Sequence, residues 1–215
     1  MRPGQRSRRV TRSKESHGMH FCQRCEPAVV LEPATDAAVC ACCGWTEPAR
    51  REPLYVVTGA SGSGKSAIFT PLAAALPECV VFDVDWLIDP MKTAGSVDWD
   101  AFRDAWLSVA HGIAQGGRST VLLGPLMPEQ LADLPSRRWI GPVHFAVLDC
   151  TDEQRRTRLQ ARPSWREHAV DEHLLFAAYL RRTIPTVVHT GTETPAQTAQ
   201  RLAAWVRHTA SSRDR

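Results

Sequence analysis

From Leu54 onward, short apolar runs alternate with longer segments whose apolar residues recur at helical spacing. Residues 54–58, 79–84, 120–123, 143–148 and 186–189 read as strands. They are near-continuous apolar runs, as expected where both faces of a parallel sheet are covered. Helices are predicted between and after them, over 64–76, 99–116, 152–161, 170–182 and 196–208. The clearest is 99–116, where Phe102, Trp106, Val109, Ala110 and Ile113 share a face and Gly116-Gly117 stops the run. Strands alternating with helices predict βαβ units, hence an α/β fold with a five-stranded parallel sheet and helices on both faces.

Upstream the pattern changes. Residues 1–19 are polar, basic and without periodicity, and are expected to be a disordered tail. Residues 20–46 hold five of the seven cysteines. Residues 47–53 read as a linker, because two prolines bracket charged residues. Residues 54–210 form the main domain, and 211–215 a short disordered tail.

Charge sharpens this division. Residues 1–14 carry six cations (Arg2, Arg6, Arg8, Arg9, Arg12, Lys14) and no acid, so the net charge of +3 leaves −3 for the remainder. The main domain therefore lacks the basic surface that marks nucleic-acid binding. The tail cations allow phosphate contacts, but residues 20–52 are net acidic, which disfavours nucleic acid as the partner. No apolar run approaches the roughly 20 residues of a membrane span. No apolar stretch follows the basic start, so a cytoplasmic protein without membrane attachment is expected. No pattern in the chain specifies an oligomeric state. Arginine outnumbers lysine 23 to 3. A single arginine is therefore weak evidence here, and a single lysine stronger.

One of those lysines sits in the most specific motif of the chain. Gly59-Ala60-Ser61-Gly62-Ser63-Gly64-Lys65-Ser66 satisfies G-x-x-x-x-G-K-[ST], after a predicted strand and running into a predicted helix whose first turn carries Ser66 and Ala67. The glycines let backbone N–H groups turn toward phosphate oxygens, and the helix N-terminus favours an anion. Lys65 would reach the β- and γ-phosphates of ATP, and the Ser66 hydroxyl would hold Mg²⁺.

With this motif, residues 53–208 resemble the P-loop kinase superfamily. The resemblance is to its small-molecule branch, which includes shikimate and gluconate kinases, chloramphenicol phosphotransferase and nucleoside or nucleotide kinases. It implies a P-loop NTPase fold and several further site residues. Asp83-x-Asp85, at the end of the second strand, is similar to the D-x-D of shikimate kinases. One carboxylate would assist Mg²⁺ and the other would face the acceptor, with Asp85 favoured as base because it lies further out. Alternation along a strand puts both on one side. Arg155, Arg158 and Arg162 fall at spacings of three and four, resemble the R-x-x-R-x-x-x-R lid, and share one helical face ended by Pro163. Arg158 and Arg162 would neutralise the transferred phosphoryl group, and Arg155 would stack on the base. The loop from His189 to Thr192 would border the nucleobase. The third strand ends in Leu122-Leu123-Gly124-Pro125 without a Walker B carboxylate, which argues against motor ATPases and GTPases. Gly124 suggests close approach of backbone or acceptor.

Cys22-x₂-Cys25 and Cys40-x₂-Cys43 have the spacing of a zinc ribbon. Four thiolates would hold a structural Zn²⁺ and let a short segment fold without a large core. Cys42 is an additional thiol, and Cys79 and Cys150 are expected to be packing residues.

Together these readings predict an ATP-dependent phosphotransferase acting on a hydroxyl of a small-molecule acceptor, nucleoside-like or antibiotic-like. The alternatives are a polynucleotide end kinase anchored by ribbon and tail, and a nucleotide-binding regulator with little turnover.

Overall fold

The computed structural model describes residues 20–26, 29–162 and 170–212. The terminal tail 1–19, Pro163 and the last three residues lie outside it. Five strands form one parallel sheet: β4 (Leu54–Thr58), β5 (Cys79–Asp83), β6 (Ser119–Leu123), β7 (Val143–Asp149) and β8 (Val187–His189). Their order is β5-β6-β4-β7-β8, with Val57 opposite Leu123 and Ala146. Helices are α1 (Lys65–Ala75), α2 (Trp99–Gln115), the short α3 (Glu129–Ala132), α4 (Asp152–Gln160), α5 (Val170–Thr183) and α6 (Pro195–Ser211).

The two-residue alternation of the strands explains why both faces are covered. Tyr55 and Val57, with Val121 and Leu123, pack under Ile68 and Leu72 of α1 and Leu202 and Val206 of α6. Leu54, Val56 and Leu122 face the other way, against Phe102, Trp106, Leu107 and Ala110 of α2. Val147 continues that second face beneath Leu180 and Ile184 at the end of α5.

The cysteine-rich segment builds a three-stranded antiparallel sheet of β1 (Glu32–Ala34), β2 (Ala37–Val39) and β3 (Thr46–Pro48). β3 thus carries the ribbon two residues beyond the expected boundary at 46. The segment that follows is fastened rather than free. Arg50 N donates to Gln115 Oε1 (3.0 Å), Gln115 Nε2 to Arg50 O (3.0 Å), and Gly141 N to Glu52 O (3.3 Å). The anchor is Trp139, only 1% exposed, which completes a core with Cys22, Leu31, Ala38, Cys40 and Ala49. His20 stacks on Trp139 and places its Nε2 2.7 Å from His111 Nε2, and Arg138 pairs with Glu32 at 2.5 Å.

These docking residues precede β4 and β7 or end α2, so the ribbon sits at the N-terminal edge of the sheet. The P-loop leaves the C-terminal edge of β4, the side where open α/β sheets bind ligands. The five residues of β4 separate the two by about 17 Å.

Candidate functional site

The turn between β4 and α1 is built to present N–H groups. Gly62 and Gly64 have φ of 79° and 104°, and Gly64 caps α1 in the left-handed region. No side chain caps this helix and its first turn carries no acid, so its positive end is left to an external anion. Ala60 and Ser63 are buried, and Ser63 Oγ has no hydrogen-bond partner among the described residues. Ser66 and Ala67 are exposed on the first turn. This cradle fits a polyphosphate.

Lys65 bends back over the loop, donating to Gly59 O at 2.5 Å and lying 3.3 Å from Ala60 O. Burial pulls its pKa down to about 8, while Asp85 and Asp83 oppose that shift and the Arg155 and Arg162 charges add to it.

The aspartates do not stand side by side on a strand. β5 ends at Asp83, and residues 84–87 turn into a 3-10 helix that Asp83 caps by accepting from Asp85 N at 3.1 Å. Asp83 is thus partly committed to the backbone, and Asp85 is swung outward to the rim of a cavity it shares with Trp99. Partial burial raises the Asp85 pKa, the Asp83 charge raises it further, and Lys65 opposes both. At Gly124 an added Cβ would meet the Val84 side chain, with Cγ2 at 2.1 Å, so the glycine lets β6 close on the turn that carries Asp85. Trp106 Nε1 fixes the same turn by donating to Val84 O at 3.1 Å.

The three arginines of α4 divide their roles. Arg155 corrects the expectation of base stacking. Its guanidinium is fully buried, paired with Asp149 Oδ1 at 2.5 Å and donating to Ser61 O at 2.8 Å, so it presents no face to a nucleobase. It props the P-loop from below. Arg158 is half-buried and donates to Gly62 O and Thr190 Oγ1 (both 3.1 Å) and to Thr190 O (3.2 Å). Arg162 lies past the end of α4 and is exposed. The three do not form one outward-facing stripe.

Two residues essential to this geometry were not singled out from sequence. Asp149, at the end of β7, is 3% exposed in its side chain and also takes Arg181 Nε at 2.6 Å. Thr190 donates through Oγ1 to Ser63 O at 2.9 Å, joining the loop after β8 to the P-loop. A carboxylate ending an apolar strand three residues before an arginine-rich helix was the available signal for Asp149.

At the ribbon, Cys22, Cys25, Cys40 and Cys43 bring four sulfurs within 4.8 Å of one another. Cys22 and Cys43 Sγ are 3.6 Å apart, and Cys25 and Cys40 Sγ 3.8 Å. A tetrahedral Zn²⁺ with bonds of about 2.3 Å needs edges of about 3.8 Å. The Arg24 backbone N–H donates to Cys22 Sγ (3.4 Å). Cys42 is exposed and outside the group, and Cys79 and Cys150 are buried.

Among the described residues no helix is long and apolar enough to cross a membrane. No protein-family model matches the chain, and no curated protein matches it by sequence. Solved structures do match. The tunicamycin resistance protein of Deinococcus radiodurans superimposes with a TM-score of 0.57 at 21% identity, over 73% of this chain and 96% of its own. A gluconokinase from Sinorhizobium meliloti gives 0.50 at 19% identity, over 77% and 99%. At such identities the likeness defines the fold alone: a P-loop NTPase fold, here joined to an N-terminal four-cysteine ribbon.

Proposed function

We propose that the chain is an ATP-dependent phosphotransferase that moves the γ-phosphoryl group to a hydroxyl of a small molecule. The observation that carries this reading is the pairing of a phosphate cradle with a carboxylate, Asp85, that lines a neighbouring cavity. Gly59 to Ala67 hold the triphosphate through N–H groups and the helix end. Lys65 leaves the Gly59 and Ala60 carbonyls to bind the β- and γ-phosphates. Ser66 and Asp83 would hold Mg²⁺, which would supply positive charge to the triphosphate. Asp85 accepts the acceptor proton as the acceptor oxygen bonds to the γ-phosphorus and the bond to the bridging oxygen breaks, releasing ADP. Arg158 and Arg162 balance charge on the phosphoryl group, Arg158 by exchanging its carbonyl contacts for phosphate oxygens.

The ribbon's position counts against a polynucleotide end kinase, since it lies at the sheet edge opposite the cradle. The Asp85-lined cavity counts against a regulator without turnover. Metal-binding rather than disulfide-bonded use of such cysteine pairs is the common pattern in the reducing cytoplasm, which favours that compartment. Acceptor-stimulated ADP formation from Mg-ATP, measured across alcohols, sugars, nucleosides and antibiotics, tests the reading. Tight ATP binding with no acceptor dependence would refute it.

The pKa shifts give a signed prediction. Activity needs Asp85 ionised and Lys65 protonated, so kcat/KM for ATP should rise with pH through a value above the ordinary carboxylate range and fall above about 8. The Asp83 charge raises both pKa values, so Asp83→Asn should move both limbs of the profile toward acid. Limbs that stay in place would remove Asp83 from the site.

We assign a structural Zn²⁺ to Cys22, Cys25, Cys40 and Cys43. Metal analysis should find one zinc per chain, and Cys43→Ser should lose it. Because Trp139 is buried in the ribbon core, metal removal should expose it, red-shift tryptophan emission and cost about 3 kcal/mol, lowering Tm by roughly 10 °C. An unchanged melt after complete metal removal would contradict a structural role.

A further inference from the structure

The cavity beside Asp85 has a volume of about 260 Å³. That is the room of roughly nine waters at about 30 Å³ each, enough for a body of one or two rings. Its wall is apolar: Val84, Ile88, Trp99, Phe102, Pro125 and Leu126. Trp99 is 51% exposed and lines the cavity beside Phe102, the two rings meeting near-perpendicular with centroids 5.6 Å apart. The other two lining side chains are Asp85 and Arg103.

Neither of these calls for a charged or polyhydroxylated guest. The Arg103 guanidinium is paired with Asp100 at 2.9 Å, one helical turn back on α2, which engages part of its charge. Asp85, with the Asp83 charge behind it, repels an anion. Among the described residues that line the cavity, Asp85 is the one whose side chain can accept a hydroxyl proton. A sugar or polyol would bring several hydroxyls out of water against carbon, each costing about tenfold or more in affinity. An apolar ring would gain from the same wall and from the Trp99 ring.

We infer that the acceptor is an uncharged, largely apolar ring compound bearing a hydroxyl that reaches Asp85, and not a sugar, a polyol or a hydroxy acid. This rests on the phosphotransferase reading above and narrows it.

The test uses the full chain with Mg-ATP and three acceptor panels. The first holds uncharged ring alcohols such as 2-phenylethanol and cyclohexylmethanol. The second holds sugars and polyols, and the third hydroxy acids. ADP formation is read for each, and binding of the same compounds is followed by calorimetry. The expected result is a kcat/KM for the best ring alcohol about 100-fold above any member of the other panels. Trp99→Ala should raise the KM for that alcohol about tenfold, with kcat and the KM for ATP little changed. Sugars or hydroxy acids as best acceptors would overturn the inference and leave the kinase reading standing. Ring alcohols that bind with Trp99-dependent affinity, while no panel stimulates ADP formation, would support the cavity's chemistry and sink the kinase reading. No binding and no turnover with ring alcohols would overturn the inference.

Discussion

Asp149→Ala is expected to destabilise the protein by about 3–5 kcal/mol, because it strands a buried guanidinium without its counter-ion. Asp149 Oδ1 takes Arg155 at 2.5 Å and Oδ2 takes Arg181 at 2.6 Å, with the aspartate side chain 3% exposed and that of Arg155 fully buried. For a chain of this size that loss corresponds to a Tm lower by roughly 10 °C or more. The same change should weaken ATP binding, since Arg155 also donates to Ser61 O inside the P-loop. Thermal melts with and without Mg-ATP measure both effects. A melt within about 2 °C of wild type would show that the pair is not a structural element of the cradle. Arg156→Ala is the control: its guanidinium pairs with Asp171 at the exposed surface, where ion pairs contribute about 0–1 kcal/mol.

The second large effect falls on turnover. Lys65→Ala removes the cation that the cradle holds beside Gly59 O, and should lower kcat by about 10²–10³ through lost stabilisation of phosphoryl charge. Asp85→Asn keeps the side chain's shape, removes the proton acceptor, and should lower kcat by about 10²–10⁴ with KM for ATP little changed. The two differ in binding. Lys65→Ala should lose ATP affinity, whereas Asp85→Asn should retain or gain it, because one negative charge near the phosphates is gone. Calorimetric titration with ATP distinguishes them. Equal loss of affinity in both variants would mean that Asp85 faces the nucleotide and not the acceptor.

Much of this was legible in the sequence because the signals were local. The strand–glycine loop–helix unit around Gly59 to Ser66 is specified within a dozen residues. The two Cys-x₂-Cys pairs meet at the distances a tetrahedral ion needs. The five strands were readable because each is a short apolar run, buried throughout in Leu54–Thr58 and nearly so in Ser119–Leu123. What was missed depends on residues far apart in the chain. Arg155 and Arg158 look alike in an arginine-rich run, and only the third dimension shows one pinned under Ser61 by Asp149 and the other spanning Gly62 and Thr190. The register of Asp85 failed for a local reason: Asp83 caps a 3-10 turn, which breaks the strand alternation that would have aligned the two carboxylates. The segment after Pro48 read as a linker because its prolines and charges lack periodicity. Its order comes from Gln115, Ile140 and Gly141, more than sixty residues away, and Trp139 supplies the ribbon with a core residue it lacks.

The central claim is that a phosphoryl group leaves ATP for an acceptor hydroxyl activated by Asp85. Phosphorus NMR of the full chain with Mg-ATP and the best acceptor tests it directly. The account predicts a new phosphomonoester resonance growing in step with ADP, absent with Asp85→Asn. ADP appearing with inorganic phosphate alone, at the same rate with and without acceptor, would contradict it.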